Sequence, residues 1–264
     1  MNESSHHEPI RLEGLAAVKG ALLGGYRPIE EIVVDRKRDD RATSWLLRKA
    51  TGLGVRSRRV DRATLDELAP ESAHGGIIAH VGVRRTLALE ELPLPRDRAP
   101  LVMMLDGVED PFNLGFAIRA LWAAGVDALV LRRRSWGSAE SVIARSSAGA
   151  SELIPTALVD RPEEAADALS ARGLTVAVTA KEEESVSLYD ADLTTPLFLL
   201  IGGERRGVTR AFLDRADLLI GIPYGRDFRQ SLGAASAAGI IAFEAMRQRE
   251  GREGERERGR KGRM

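Results

Sequence analysis

Cysteine is absent from the 264 residues, which excludes disulfides, zinc–thiolate centres and thiol catalysis. Histidine is scarce, with four residues too scattered to predict a metal centre. No apolar run approaches the ~20 residues that a membrane-spanning helix needs. Residues 1–9 lack the basic-then-apolar layout of a secretory signal, so a cytoplasmic protein without membrane contact is expected. Net charge is missing too: 39 Lys and Arg balance 39 Asp and Glu, which by itself argues against a nucleic-acid partner. The balance is uneven along the chain. Residues 1–98 carry 17 basic and 15 acidic side chains, 99–248 carry 15 and 20, and 249–264 carry 7 and 4. Phosphate binding therefore has to come from local clusters, namely Arg36-Lys37-Arg38, Arg56 with Arg58-Arg59, and Arg132-Arg133-Arg134. Each of these also reads as ordinary solvated surface.

What is present is the composition of a globular protein, 44% hydrophobic and 30% charged, long enough for one large domain or two compact ones. Helical stretches at 14–23, 41–51 and 62–68 alternate with short apolar strands at 29–34, 55–60 and 76–83, which predicts a small three-layer α/β domain over residues 10–89. Residues 90–99, rich in proline and alternating charge, read as a linker. A second α/β domain is expected over 100–248, with strands at 101–105, 128–131, 174–179, 196–201 and 218–222 and helices at 114–124 and 231–248. Unbroken apolar runs such as Leu101–Leu105 are typical of a parallel sheet covered on both faces. The first nine residues and the Arg/Glu/Gly-rich tail 249–264 are expected to be disordered, the tail alternatively a frayed helical extension.

In an open parallel sheet, ligands sit beyond the C-terminal ends of the strands, and three loops there are unusual. After the first strand of the second domain comes Asp110-Pro111-Phe112-Asn113-Leu114-Gly115-Phe116-Ala117-Ile118-Arg119, with Asn113 and Arg119 close to two helical turns apart. A second loop holds Ile201-Gly202-Gly203-Glu204-Arg205-Arg206-Gly207, where paired glycines permit close backbone approach and a carboxylate follows. A third runs from Ile222-Pro223-Tyr224 to Ser231-Leu232-Gly233. Taken singly, Asn113 and Ser231 are explained as helix N-caps, and the glycines match neither the dinucleotide fingerprint nor the P-loop.

Taken together and in this order, the three loops resemble the signature motifs of the SpoU (TrmH-like) family of RNA 2′-O-ribose methyltransferases. The Ser146-Ser147-Ala148-Gly149-Ala150 stretch is similar to a further element of that family. The resemblance implies a parallel-sheet catalytic domain with its C-terminal segment threaded into a trefoil knot, a homodimer with each cofactor site close to the partner subunit, and S-adenosylmethionine as cofactor without a metal. It places Arg119 as the residue that activates the ribose 2′-hydroxyl, Asn113 beside it, Glu204 in support and Ser231 near the substrate. Thr179, Gly202, Gly203, Gly207, Ile222 and Leu232 would hold the cofactor. Gly14-Leu15-Ala16-Ala17-Val18 and His74-Gly75-Gly76-Ile77-Ile78-Ala79 are similar to landmarks of a ribosomal-protein-like RNA-binding domain, which favours structured RNA, ribosomal above transfer RNA.

A guanidinium stays protonated in nearly every protein setting, so Arg119 reads first as a clamp on the developing alkoxide or the adjacent phosphate and second as a base. The chain departs from the family pattern at two places. Gly233 stands where most relatives have asparagine, and Arg205 where glycine is common. An RNA-binding or ribosome-assembly factor without catalysis is therefore the alternative to an active enzyme. A nucleotide-dependent oxidoreductase has fold analogy as its sole support.

Overall fold

The computed structural model describes residues 10–70, 74–203 and 208–261; the disorder expected of residues 1–9 falls outside them. Contacts divide the chain into two compact units, one gathering the residues up to Arg85 with Ser135–Leu153, the other holding Thr86–Arg134 and the chain from Ile154 onward.

In the first unit a four-stranded mixed sheet has the order β1-β4-β2-β3, from β1 (Ile10–Glu13), β2 (Ile29–Asp35), β3 (Arg56–Val60) and β4 (Ile77–Val81). Strand alternation sends side chains to two cores. Ile32, Val34, Ile77, Ala79 and Val81 pack with α1 (Leu15–Gly24) and α2 (Arg41–Gly52). Val33 and Ile78 point the other way, onto Leu65 of α3 (Arg62–Leu68). Three layers result, as expected. Strand β1 is an addition to the sequence reading: four residues are too few for alternation to stand out.

Within the 100–248 span expected as one domain, α5 (Ala139–Ser146) and α6 (Ala150–Leu153) group by their contacts with the first unit. The reason is close backbone contact. A Cβ on Gly20 would meet the Gly149 carbonyl oxygen at 2.4 Å. One on Gly149 would meet that of Ala16 at 2.2 Å. These glycines let α1 lie directly on the α5–α6 turn. The family-like stretch Ser146–Ala150 thus serves as a packing seat within this unit.

Asp40 caps α2. Its carboxylate accepts from the Thr43 N–H and the Thr43 hydroxyl, each at 2.8 Å, and from Arg38 at 2.8 Å. The Thr43 bonds lead in holding its pKa down from 3.8 to about 2. A depressed carboxylate contributes stability that is fully present above the unfolded-state value of 3.8 and is lost as pH falls toward about 2. Asp40→Asn keeps a capping oxygen but removes the titration, and is expected to flatten the acid limb of the stability curve in that window. Urea denaturation as a function of pH measures it; an acid limb identical to wild type would contradict this role.

The second unit is a seven-stranded, all-parallel sheet in the order β7-β6-β5-β10-β8-β11-β9. Its strands are β5 (Leu101–Leu105), β6 (Ala128–Arg132), β7 (Thr156–Val159), β8 (Thr175–Thr179), β9 (Val186–Ser187), β10 (Leu197–Ile201) and β11 (Leu218–Gly221). Val102, Met104, Val130, Val178, Phe198 and Leu200 face a core shared with Ala165, Ala166 and Leu169 of α7 (Pro162–Ala171) and Phe212 of α8 (Arg210–Leu213). On α4 (Pro111–Ala123) and α9 (Ala234–Lys261), which pack together, Leu114, Ile118, Leu121, Ile241 and Ala245 are buried. Strands β7 and β9 were not legible as strands, being four and two residues long.

Two helix boundaries differ from expectation. Helix α4 begins at Pro111, which suits the first helical turn, after an Asp110 cap whose carboxylate accepts the Asn113 N–H at 2.7 Å. Asn113 is therefore not the cap. At the other end of the unit, α9 starts at Ala234, so Ser231 lies three residues before it and caps nothing. The helix runs on past Gln248 to Lys261 in place of the disordered tail. Arg249 anchors the start of this extension, donating to the carbonyls of Ala99 at 2.6 Å, Thr195 at 2.8 Å and Leu193 at 2.9 Å.

Candidate functional site

The chain steps outward from β5 to β6 and β7, then returns to the far side of β5 for β8, β10 and β11. Such a reversal opens a crevice at the C-terminal strand ends. A cavity of about 290 Å³ lies there, at the ends of β8, β10 and β11. Strand β8 delivers Thr179, followed by Ala180, Lys181 and Glu182; β10 delivers Ile201, Gly202 and Gly203. The end of β11 brings Ile220, Ile222 and Tyr224, and the approach to α9 adds Ser231, Leu232, Ala234 and Ala237. Buried Ile201, Ile220, Ala234 and Ala237 make an apolar wall, while Lys181, Glu182 and Ser231 are exposed polar groups. An apolar slot with a few polar groups suits a small organic ligand.

Gly203 fixes the shape of one side. A Cβ there would stand 2.7 Å from the Gly107 carbonyl oxygen and 2.9 Å from that of Asp106, so only glycine lets the end of β10 close on the turn after β5. In the same turn the Asp106 carboxylate is buried and receives Arg132 at 2.5 and 3.3 Å. That hydrogen bond raises the Arg132 pKa above its ordinary value. Arg133 is likewise paired, with Asp160 at 3.1 Å. Arg132 and Arg133 thus hold the sheet edge together, with their charges already matched.

Six residues singled out from sequence line this one cavity: Thr179, Gly202, Gly203, Ile222, Ser231 and Leu232. The Leu232 N–H is bonded to the Tyr224 hydroxyl oxygen at 3.1 Å, which leaves its carbonyl and side chain as the groups it can offer. Glu204 and Gly207 fall outside the described residues. Asn113 and Arg119 do not line the cavity; both are exposed on α4. Phe112, Phe116 and Arg119 stand at i, i+4 and i+7 and so share a face of α4. Arg119 has no hydrogen bond or ion pair among the described residues. Sequence reasoning missed Lys181 and Tyr224. The first could have been found from its place two residues beyond a strand end, the second from its place in the Ile222-Pro223-Tyr224 turn.

Among the described residues no group of three or more His, Asp or Glu is placed to hold a metal ion, and no helix is long and apolar enough to cross a membrane.

Residues 100–243 match the SpoU rRNA Methylase family, and residues 11–85 match the family described as RNA 2′-O ribose methyltransferase substrate binding. The chain is 34% identical over 239 residues to a 23S rRNA (guanosine-2′-O-)-methyltransferase RlmB of Shewanella oneidensis, covering 89% of this chain and 96% of that protein. A protein of the same name from Ralstonia nicotianae is also 34% identical over 239 residues, covering 90% and 95%. Among solved structures, the SpoU methyltransferase AviRb from Streptomyces viridochromogenes in complex with AdoMet superposes with a TM-score of 0.72 at 27% identity, covering 91% of this chain and 90% of that one. An AdoMet-bound rRNA methyltransferase from Sinorhizobium meliloti gives 0.72 at 26% identity, covering 90% and 87%.

Proposed function

Because the chain belongs to the SpoU rRNA methylase family, we propose that it transfers a methyl group from S-adenosylmethionine to a ribose 2′-hydroxyl of ribosomal RNA, with a guanosine of 23S rRNA as the target class and the cytoplasm as its place of action. The observation that carries this reading is the single cavity at the ends of β8, β10 and β11, into which three separated sequence segments bring Thr179, Gly202-Gly203 and Ile222 with Ser231-Leu232. Its residues fit the cofactor. Apolar Ile201, Ile220 and Ile222 suit a flat base, and strand-end backbone offers hydrogen-bonding groups beside it. The close approach at Gly203 shapes the wall. S-adenosylmethionine supplies, when bound, a methyl carbon activated by a sulfonium.

The chain's own residues bind, align and stabilise. Ser231, exposed at the cavity, meets the incoming ribose. Arg119 clamps the negative charge that develops on the 2′-oxygen, or the neighbouring phosphate, with its forked donors, and Asn113 orients the same group.

Arg119 reaches a cofactor site through a second copy of the chain. What supports a homodimer is the exposed apolar face of α4 and α9, where Phe112, Phe116, Ile240 and Phe243 remain 46%, 50%, 37% and 44% accessible. Large apolar side chains left exposed on two packed helices are what an interface buries, and Arg119 shares the α4 face of Phe112 and Phe116.

RNA is gripped by the first unit. Arg59 donates to the carbonyls of Arg36 and Arg38 at 3.4 and 2.8 Å, which draws the Arg36-Lys37-Arg38 turn beside the exposed edge strand β3. Arg58 pairs with Glu31 and Arg38 with Asp40, while Arg36, Lys37 and Arg56 have no ion pair among the described residues and are available to phosphates.

The reading is tested by incubating the purified protein with methyl-labelled S-adenosylmethionine and ribosomal RNA. Label is expected in alkali-resistant dinucleotides, the signature of a blocked 2′-hydroxyl; label confined to bases, or none, would contradict it. Gly203→Ala tests the cavity itself. Forcing apart the β5 turn and the β10 end is expected to cost about 1–3 kcal/mol of cofactor binding, measured by calorimetry; wild-type affinity would remove Gly203 from the site.

A further inference from the structure

Lys181 and Tyr224 line the cavity beside the residues assigned to cofactor and ribose. The Lys181 ammonium donates to the Gln230 carbonyl at 2.8 Å and reaches that of Arg229 at 3.4 Å. It also stands 4.4 Å from the centre of the Tyr224 ring. Tyr224 closes the loop on itself by accepting the Leu232 N–H at 3.1 Å. Residues 225–232 form no helix or strand, and nearly all are exposed. Among the described residues these are the only hydrogen bonds that hold that stretch, and Gly233 has no side chain to add another.

We propose that Lys181 is a positioning residue of the cofactor site, a charged peg that sets the 225–232 loop and so places Ser231 and Leu232 at the cavity. The proposal rests on the methyltransferase reading and deepens it. An ammonium bonded to a carbonyl is stronger than a neutral pair, and the Tyr224 ring face favours the same cation. Without the charge, the two carbonyls turn to water and the loop samples conformations in which Ser231 and Leu232 leave the site. Apparent affinity then falls by the fraction of competent conformers. Because Lys181 is exposed, its removal orphans no buried group, so the fold is retained.

Lys181→Met keeps the length of the side chain and removes the charge. Calorimetry on the full chain is expected to show about tenfold weaker S-adenosylmethionine binding, with an unchanged thermal transition. In steady state the change is expected in the KM for the cofactor, with kcat at saturation retained. Lys181→Arg, which restores a cation able to bond the same carbonyls, is expected to recover affinity to within about threefold. Tyr224→Phe, which loses only the hydroxyl, is expected to speed hydrogen exchange at the Leu232 amide. Lys181→Met binding the cofactor as wild type does, or Lys181→Arg failing as badly as Lys181→Met, would overturn the proposal while leaving the methyltransferase reading intact. Failure of the wild-type protein to bind the cofactor would overturn that reading, and this proposal with it.

Discussion

Replacing Arg119 by alanine is expected to leave S-adenosylmethionine affinity unchanged and to lower turnover on ribosomal RNA by about 10²–10³-fold, the usual consequence of deleting one donor aimed at developing negative charge. The separation of the two effects follows from position. Arg119 is exposed on α4 and touches none of the lining at the ends of β8, β10 and β11 of its own chain, so its truncation leaves the walls that hold the cofactor in place. Its side chain shares a helix face with Phe112 and Phe116, and the proposed dimer, by burying that face, would bring it to a subunit boundary. Mixed dimers sharpen the test. If Arg119 serves the partner's cavity, an Arg119→Ala subunit paired with a Gly203→Ala subunit retains at most one competent site, formed by the intact cavity of the first and the intact arginine of the second. Single-turnover kinetics on the purified heterodimer measure it. Comparable turnover by the homodimeric Arg119→Ala protein would remove the residue from the mechanism.

The largest effect on stability is expected at Arg27→Met. The Arg27 guanidinium and the Glu152 carboxylate are each 2% accessible as side chains and meet at 2.8 Å, with a second contact at 3.0 Å. Arg27 also bonds Glu140 at 3.1 Å and the Gly82 carbonyl at 3.2 Å. Removing the arginine leaves Glu152 in a site with little water, opposed only by the more distant charge of Arg84, at a cost of up to about 3–5 kcal/mol. The pair itself is a weaker asset than this figure suggests, since desolvation offsets most of the attraction between the two charges. Arg27→Met combined with Glu152→Met is accordingly expected to recover part of the loss, the remainder reflecting the Glu152 charge withdrawn from Arg84. Urea denaturation of the single and double variants tests this, and a single variant within about 1 kcal/mol of wild type would show that the pair is not buried in solution.

Both cases show what the sequence could and could not disclose. Leu101–Leu105 and Leu197–Ile201 were legible as central strands because five consecutive apolar residues suit a sheet covered on both faces, and once strand ends were known the loops bearing Gly202-Gly203 and Ile222 had to face the ligand side. The cavity residues were thus reachable from local pattern plus one topological rule. Arg27 and Glu152 were not, being 125 residues apart; nothing local to either announces the other. The same holds for Ser135–Leu153, whose place with the N-terminal sheet depends on Gly20 and Gly149 meeting backbone to backbone. The cap explanation of Asn113 taken singly fails because the true cap, Asp110, is followed by a proline that belongs to the helix it begins. Lys181 was overlooked among three consecutive glutamates, where a lone cation reads as solvated surface; only the carbonyls of Arg229 and Gln230, brought from 48 and 49 positions away, give it a task.

Methyl transfer to ribosomal RNA is tested by a map of 2′-O-methyl positions across 23S rRNA from cells with and without the protein, repeated with the wild-type chain and the Arg119→Ala form restored. Loss of methylation at one guanosine, restored by the wild-type chain and not by Arg119→Ala, is the expected result. A map unchanged by removal of the protein, together with a purified protein that binds RNA without transferring label, would contradict it and leave a scaffold that holds ribosomal RNA without modifying it.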